Sequence, residues 1–334
     1  MATHVDVDDA EQRIRPFIHR TPVLTSAFLD ALSGKNLFFK CENLQKTGSF
    51  KARGALNAIL KAKENGPLNG IIAHSGGNHG QGVAWAAQQS HLLATVCVPS
   101  IAPEAKMDAM RGYGSELVIV EPSMKVMSET CHRLAAEKGF TVIDPMNDYA
   151  IMSGQGTVAK EFLEQTPQLD VLLVAVGGGG LAAGVAACVK KMNPTCKIIC
   201  VEPQGKNLET SLKAGKLLIE FGGLLDTVAD GCRPHSIGDK CFAVLHECAE
   251  HTVFTVVRWI VRTFGLINSV LQNDEEILAA MKLILERMKV VVEPSAAMGL
   301  AAVLKYKTEL EKYHNVGLIL CGGNVDLKRV VGLL

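Results

Sequence analysis

The sequence predicts an α/β protein built on two open, parallel sheets. Three observations carry that expectation. Short, almost continuously apolar stretches such as 171-VLLVAV-176 and 316-VGLIL-320 read as strands covered on both faces. Helical patterns stand between them, as parallel connections require. And the run from about 68 to 147 holds four strands with helices between them, a unit complete in itself, so the remaining chain has a second sheet to build.

In chain order, strands are expected at 36-NLFFKCE-42, 71-IIAH-74, 94-ATVCVP-99, 117-LVIV-120, 141-TVI-143, 171–176, 197-KIICVE-202, 253-VFTV-256 and 316–320. Helices are expected near 51–62, 79–90, 104–112, 124–138, 153–165, 181–192, 207–215, 274–288 and 295–312. The first of these shows the logic. Thr47, Gly48 and Ser49 supply turn and cap residues, and Ala55, Leu56, Ile59 and Leu60 recur at helical spacing behind them. Gly/Pro-bearing polar segments, 64-ENGPLNG-70 and 144-DPMND-148, divide the chain into a small domain, 68–147, and a larger discontinuous one, 1–67 plus 148–334.

Composition narrows the function classes. The chain of 334 residues is 48% hydrophobic and 20% charged, with 34 basic against 34 acidic side chains. That balance gives no electrostatic footprint for nucleic acid. Ten cysteines without a C-x-x-C pair, several inside apolar runs, point to buried free thiols in a reducing compartment. The cluster 246-HECAEH-251 reads as a polar helix face rather than a metal site, since no second cluster at zinc spacing accompanies it. The acidic N-terminus lacks the apolar core of a signal peptide. The longest apolar run, 253–272, is interrupted by Arg258 and Arg262, so no membrane span is expected and a cytoplasmic location is.

In open parallel sheets, ligands sit beyond the carboxyl ends of the strands, so the strand-to-helix turns are where chemistry is sought. The turn 177-GGGG-180 follows an apolar strand and opens a helix; its backbone can approach a ligand closely and present N–H groups to a phosphate. Taken alone it equally supports a dinucleotide site, because Gly177, Gly179 and Ala182 fit G-x-G-x-x-A and Glu202 ends the next strand. The turn 74-HSGGNHGQG-82 carries Ser75, Asn78 and His79 among glycines, suited to a carboxylate or to ring substituents. The turn 320-LCGGNVDL-327 sets Cys321 at a strand end, where a short neutral side chain could meet a ligand nitrogen. The fourth is 46-KTGSFKARGA-55, which puts Lys51 in the first turn of a helix. A cation is disfavoured there; burial and nearby Arg53 are expected to depress its pKa further, leaving an amine able to form an imine with a carbonyl. An imine-forming lysine, a phosphate cradle and a neutral group for a ring nitrogen together describe pyridoxal 5′-phosphate. A nicotinamide cofactor leaves Lys51 without a task.

These four motifs, with 21-TPVLTS-26, 36-NLFFKCE-42, 154-GQGT-157, 229-ADG-231, 286-ERMK-289 and 293-EP-294, resemble the fold-type II pyridoxal-phosphate enzymes over nearly the whole chain, and more narrowly the eukaryotic serine racemase and serine/threonine dehydratase family. The resemblance implies that Lys51 holds the cofactor and then serves as base on the α-proton, with Phe50 flanking the ring and Asn78 bonding its 3′-oxygen. It implies that Gly177, Gly178, Gly179 and Gly180 cradle the phosphate, that Cys321 faces the pyridine nitrogen, and that Ser75, Asn78 and His79 line the substrate carboxylate site. A homodimer acting on a small amino acid is implied as well.

Three departures from the family pattern shape the expected reaction. Racemases of the family carry a second serine in the SSGNH turn, which protonates Cα from the face opposite the lysine; here that position is Gly76. Racemisation needs an acid–base group on each face, so β-elimination from L-serine or L-threonine is expected to dominate. Serine racemisation is the alternative. Second, Glu202 matches the first acid of the family's divalent-cation (Mg2+) site, but Lys206 and Leu208 stand where the next acid is sought. The family's ATP effector site is matched in part by Lys46, Thr47, Gln81, Tyr113 and Asn324. Third, 257-VRWIVRTFGLINSVLQ-272 is additional to the pattern. It is read either as a genuine insertion or as a translated intron, and an inactive homologue impaired by it is a further alternative.

Overall fold

The structure is a computed structural model that describes residues 4–219, 224–256, 274–326 and 332. Its strands form two sheets. The larger contains β1 (Val23–Leu24), β2 (Asn36–Lys40), β7 (Val171–Ala175), β8 (Lys197–Pro203), β9 (Val253–Val256) and β10 (Asn315–Ile319), in the order β1-β2-β10-β7-β8-β9. The smaller contains β3 (Ile71–His74), β4 (Ala94–Pro99), β5 (Glu116–Val120) and β6 (Thr141–Val142), in the order β5-β4-β3-β6. Every pairing is parallel except that of β1 with β2. That antiparallel edge departs from the all-parallel expectation. A two-residue strand shows no periodicity to read, and an antiparallel edge on a parallel sheet is a common arrangement.

The helices are α1 (Val7–Ile14), α2 (Ala27–Ser33), α3 (Lys51–Glu64), α4 (Asn78–Gln89), α5 (Glu104–Gly112), α6 (Met124–Lys138), α7 (Tyr149–Gln165), α8 (Gly180–Met192), α9 (Leu208–Ala214), α10 (Asp239–Cys248), α11 (Glu275–Met288) and α12 (Pro294–Lys305). Helix α10 was anticipated only at its end, where 246–251 was read as a polar helix face, and the first two were not anticipated. Each is capped by a side chain, Asp6 accepting from the N–H of Asp9 and Ser26 from that of Leu29, so the signal was capping chemistry rather than a long apolar stripe. Helix α7 begins at Tyr149, earlier than expected, because Asp148 accepts from the N–H groups of Ala150 and Ile151. Helix α12 stops at Lys305, short of 312. Tyr306 leaves the helix, stacks on Phe254 at 4.2 Å between ring centroids and exchanges hydrogen bonds with the Thr255 backbone.

Burial follows the layers. The large sheet is covered on both faces, with Leu173, Val174, Ile199 and Val201 in one continuous core with residues of α7, α8 and α12. One cluster on the small sheet joins Ile71, Ala73 and Val83 to Ala52, Ala55, Leu56 and Ile59 of α3. The stretch 257–272, expected to be an insertion, lies outside the described residues.

Candidate active site

The carboxyl ends of β3, β7 and β10 open into a cleft of about 280 Å³. Phe50, Lys51, Ser75, Asn78, His79, all four glycines from Gly177 to Gly180, and Cys321 line it. Glu202 does not.

Lys51 is the first residue of α3, preceded by Phe50 at the cap position with no side-chain cap. Thr47 and Gly48 turn the chain with φ of 60° and 68°, but neither caps the helix as expected. The Lys51 side chain is half-buried at the cleft; its ammonium donates to the Pro145 carbonyl at 2.7 Å and sits 5.3 Å from the Phe50 ring centroid. Burial pushes its pKa down to about 8, against the opposing pull of Asp144. Arg53 was expected to share in that depression and does not. It is withdrawn into a buried network, donating to Glu42 at 2.7 Å and to Glu161 at 2.8 Å, where its charge is satisfied. Glu161 also accepts from Lys40 at 2.6 Å.

The tetraglycine loop is packed too closely for any side chain. A Cβ on Gly177 would meet the Gly231 carbonyl at 2.2 Å, and one on Gly178 the Met146 sulfur at 1.8 Å. Gly179 caps α8 with φ of 98°. Among the described residues, no acceptor takes the N–H groups of Gly177 to Gly180. Free amides at the mouth of a helix fit a phosphate.

Opposite this loop, Asn78 opens α4 rather than capping it; the cap is Gly77. Its amide donates to both oxygens of Glu293, at 2.9 and 2.8 Å, and its carbonyl oxygen accepts from Asn324 at 2.9 Å. Asn324 also donates to the Thr47 carbonyl at 2.8 Å, which brings two of the five expected effector-site residues together. Ser75 Oγ accepts from the Gly77 N–H at 3.2 Å. His79 is buried, with Nε2 3.0 Å from the Ile143 carbonyl and Nδ1 unpartnered; burial holds its pKa well below the usual value, so the ring is neutral. Cys321 Sγ lies 3.9 Å from Glu293, and burial pushes the thiol well up, so it too is neutral.

Sequence reading missed Glu293. It precedes α12, is buried in the cleft, and has its pKa raised to about 7 by burial and by Asp230. Gly322 makes room for it, since a Cβ there would stand 2.7 Å from its carboxylate. The signal available was an acid directly before Pro294, at the cap of an apolar helix. Lys106 and Asp230 were missed as well; both line the cleft and pair at 2.7 Å.

Glu202 stands apart. Its carboxylate accepts from the Leu208 N–H at 3.3 Å at the start of α9, and burial raises its pKa to about 7. Among the described residues, no group of three or more His, Cys, Asp or Glu gathers there or elsewhere. Its charged neighbours are the ammonium of Lys206 and the carboxylate of Glu209. This donor set does not fit a divalent cation, which wants several oxygen ligands and no competing charge.

The pyridoxal-phosphate dependent enzyme family matches residues 14–322. A serine racemase from Dictyostelium discoideum is 37% identical over 98% of this chain and 97% of its own length. An L-threo-3-hydroxyaspartate ammonia-lyase from Saccharomyces cerevisiae is 39% identical over 99% and 96%. Among solved structures, a pyridoxal 5′-phosphate-dependent aspartate racemase superposes with a TM-score of 0.90 at 41% identity, covering 97% of this chain and 96% of that one. The chain therefore belongs to the pyridoxal-phosphate dependent enzymes, with the fold-type II architecture, and is an enzyme of the racemase and ammonia-lyase group. Among the described residues no helix is long and apolar enough to cross a membrane.

Proposed function

We propose that this pyridoxal-phosphate dependent enzyme is an ammonia-lyase that eliminates the β-hydroxyl of L-serine or L-threonine, releasing a 2-oxo acid and ammonia. Racemases and ammonia-lyases match it at nearly equal identity, so the site has to choose between them. The observation that carries the choice is the space around Gly76. A Cβ there would lie 2.8 Å from Cγ of Pro99 and 3.2 Å from Cβ of Ala102. The turn has no room, as it stands, for the serine that a racemase places opposite its lysine.

The residues present fit pyridoxal phosphate. The unbonded amides of Gly177 to Gly180 suit its phosphate, Phe50 and Asn78 suit its ring, and the neutral Cys321 thiol suits its pyridine nitrogen. Lys51 suits its aldehyde. When bound, the cofactor supplies an electron sink for the substrate α-carbon. The chain's own residues do the rest. Lys51, an amine for much of the time near pH 8, takes the α-proton on its face. Ser75, Asn78 and His79 hold the substrate carboxylate. Gly76 offers no proton to the other face, so loss of the hydroxyl is not contested by reprotonation there. Serine racemisation is kept as the second reading because Ser75, one residue away, also lines the cleft.

The ten free cysteines support a reducing, cytoplasmic setting, and a homodimer and an ATP effector remain parts of the same reading. The test incubates purified holoenzyme with L-serine, L-threonine and hydroxyaspartate and measures keto acid and D-isomer together. Keto acid in clear excess over D-isomer is the expected result; D-serine formed at a rate near that of pyruvate overturns the ordering.

A further inference from the structure

Lys206 is a half-buried lysine that the proposed reaction does not use. Its Nζ donates to the carbonyl of Gly177 at 2.8 Å, to that of Cys232 at 3.2 Å, and to that of Pro234. An ammonium has three protons and no acceptor, and three backbone oxygens meet it. The acceptors belong to separate segments, the first glycine of the tetraglycine loop and the turn at 232–234. These segments are already in contact, since a Cβ on Gly177 would strike the Gly231 carbonyl. The second turn is further fixed by the Gly231 N–H, which donates to Ser295 at 3.0 Å. Burial pulls the Lys206 pKa down to about 8, against the opposing pull of Cys232 and Glu202, so the side chain is still an ammonium at neutral pH.

Three carbonyl oxygens converge on one positive charge, and here that charge arrives on a side chain, which leaves no place for a separate ion. A lysine reaching in from 206 brings its cation covalently attached, and no chelator removes it. We propose that Lys206 is a positioning residue whose ammonium is the resident cation of the tetraglycine loop, setting the cofactor cradle without a divalent ion. The positioning role rests on the reading that Gly177 to Gly180 hold the cofactor phosphate; the tie between the two loops does not.

The experiment therefore reads two quantities, the melting temperature of the cofactor-free protein and the Kd of the full-length enzyme for pyridoxal phosphate. Wild-type protein dialysed against a chelator and then titrated with Mg2+ keeps both unchanged. In Lys206→Ala the melting temperature falls and the Kd rises roughly 10-fold, the effect of losing a charge-assisted hydrogen-bonded contact. Methylammonium, small enough to enter the vacated space, restores both. Lys206→Met fills that space without charge, loses both as well, and does not respond to methylammonium. Mg2+ raising either quantity in chelated wild type overturns the proposal, as does a methionine variant that matches wild type. A melting temperature that falls while Kd stays put also overturns the positioning role, and locates the fault in the cradle assignment rather than in the tie.

Discussion

Lys51 sits at a helix start, where the unpaired N–H groups repel a cation, and its ammonium is largely withdrawn from solvent as well. Both features favour the amine, the form the chemistry needs. Linkage makes this measurable in the cofactor-free protein. The ordinary lysine pKa of 10.5 prevails in the unfolded chain and about 8 in the fold. Between those values the unfolded state binds more protons, so stability rises with pH; below about 8 the cost of burying the ammonium is felt in full. The gap corresponds to about 3 kcal/mol at 1.36 kcal/mol per unit. Unfolding free energies of wild type and Lys51→Met, compared from pH 7 to 10.5, are expected to show wild type gaining on the variant by about that amount. A flat difference refutes the depressed pKa. The site was legible at this scale where a residue carries its own signature, as Lys51 and the glycine turns do. Glu293 and Lys206 show less, an acid before Pro294 and a cation after Glu202, and neither says what it does. Glu293 is defined by Asn78 and Cys321, and Lys206 by carbonyls 26 to 29 positions away, partners that sequence spacing does not reveal.

At the scale of elements, what fixes Lys51 is the crossing of α3 with α7. Gly54 and Gly154 meet backbone to backbone: a Cβ on Gly154 would lie 2.6 Å from Cα of Gly54 and 2.7 Å from the Arg53 carbonyl. The Gly54 N–H donates to Gln155 at 3.2 Å, and Arg53, in the same turn as Lys51, reaches across to Glu161 of α7. The strands and most helices could be read from apolar periodicity, because periodicity reports which face is buried. It does not report what lies against that face. The GQGT stretch stood out only by resemblance, and its use as a crossing point appears once both helices are in place. Gly154→Ala is expected to wedge the crossing apart. Overpacking of this kind costs roughly 1–3 kcal/mol, seen as a lower urea midpoint with an unchanged slope. Because the wedge acts on the first turn of α3, kcat/KM is expected to fall with it. A variant with wild-type midpoint and activity shows that the two helices can separate freely.

For the molecule as a whole, the question is how far each sheet stands alone. The division at 68–147 follows from punctuation in the sequence, and β3 to β6 do form their own sheet. The apolar core beside that sheet, however, is not drawn from 68–147 alone. Ile14 of α1, Ala52, Ala55, Leu56 and Ile59 of α3, and Ile151 of α7 are buried in one cluster with Ile71, Ala73 and Val83. Four of the borrowed side chains are large aliphatics, each contributing about 1.5–3 kcal/mol when fully buried. Together they match a typical domain's net stability of about 5–15 kcal/mol. Residues 68–147 expressed alone are therefore expected to lack a cooperative thermal transition, although they carry every strand of their sheet. A fragment that also includes α3 recovers most of the missing face, and its transition should sharpen. If 68–147 melts cooperatively without it, the small sheet is an independent domain and α3 merely leans against it. If not, α3 belongs physically to both sheets. Lys51 would then lie on the element that couples them, with its first turn clamped to α7 and its apolar face buried under the small sheet.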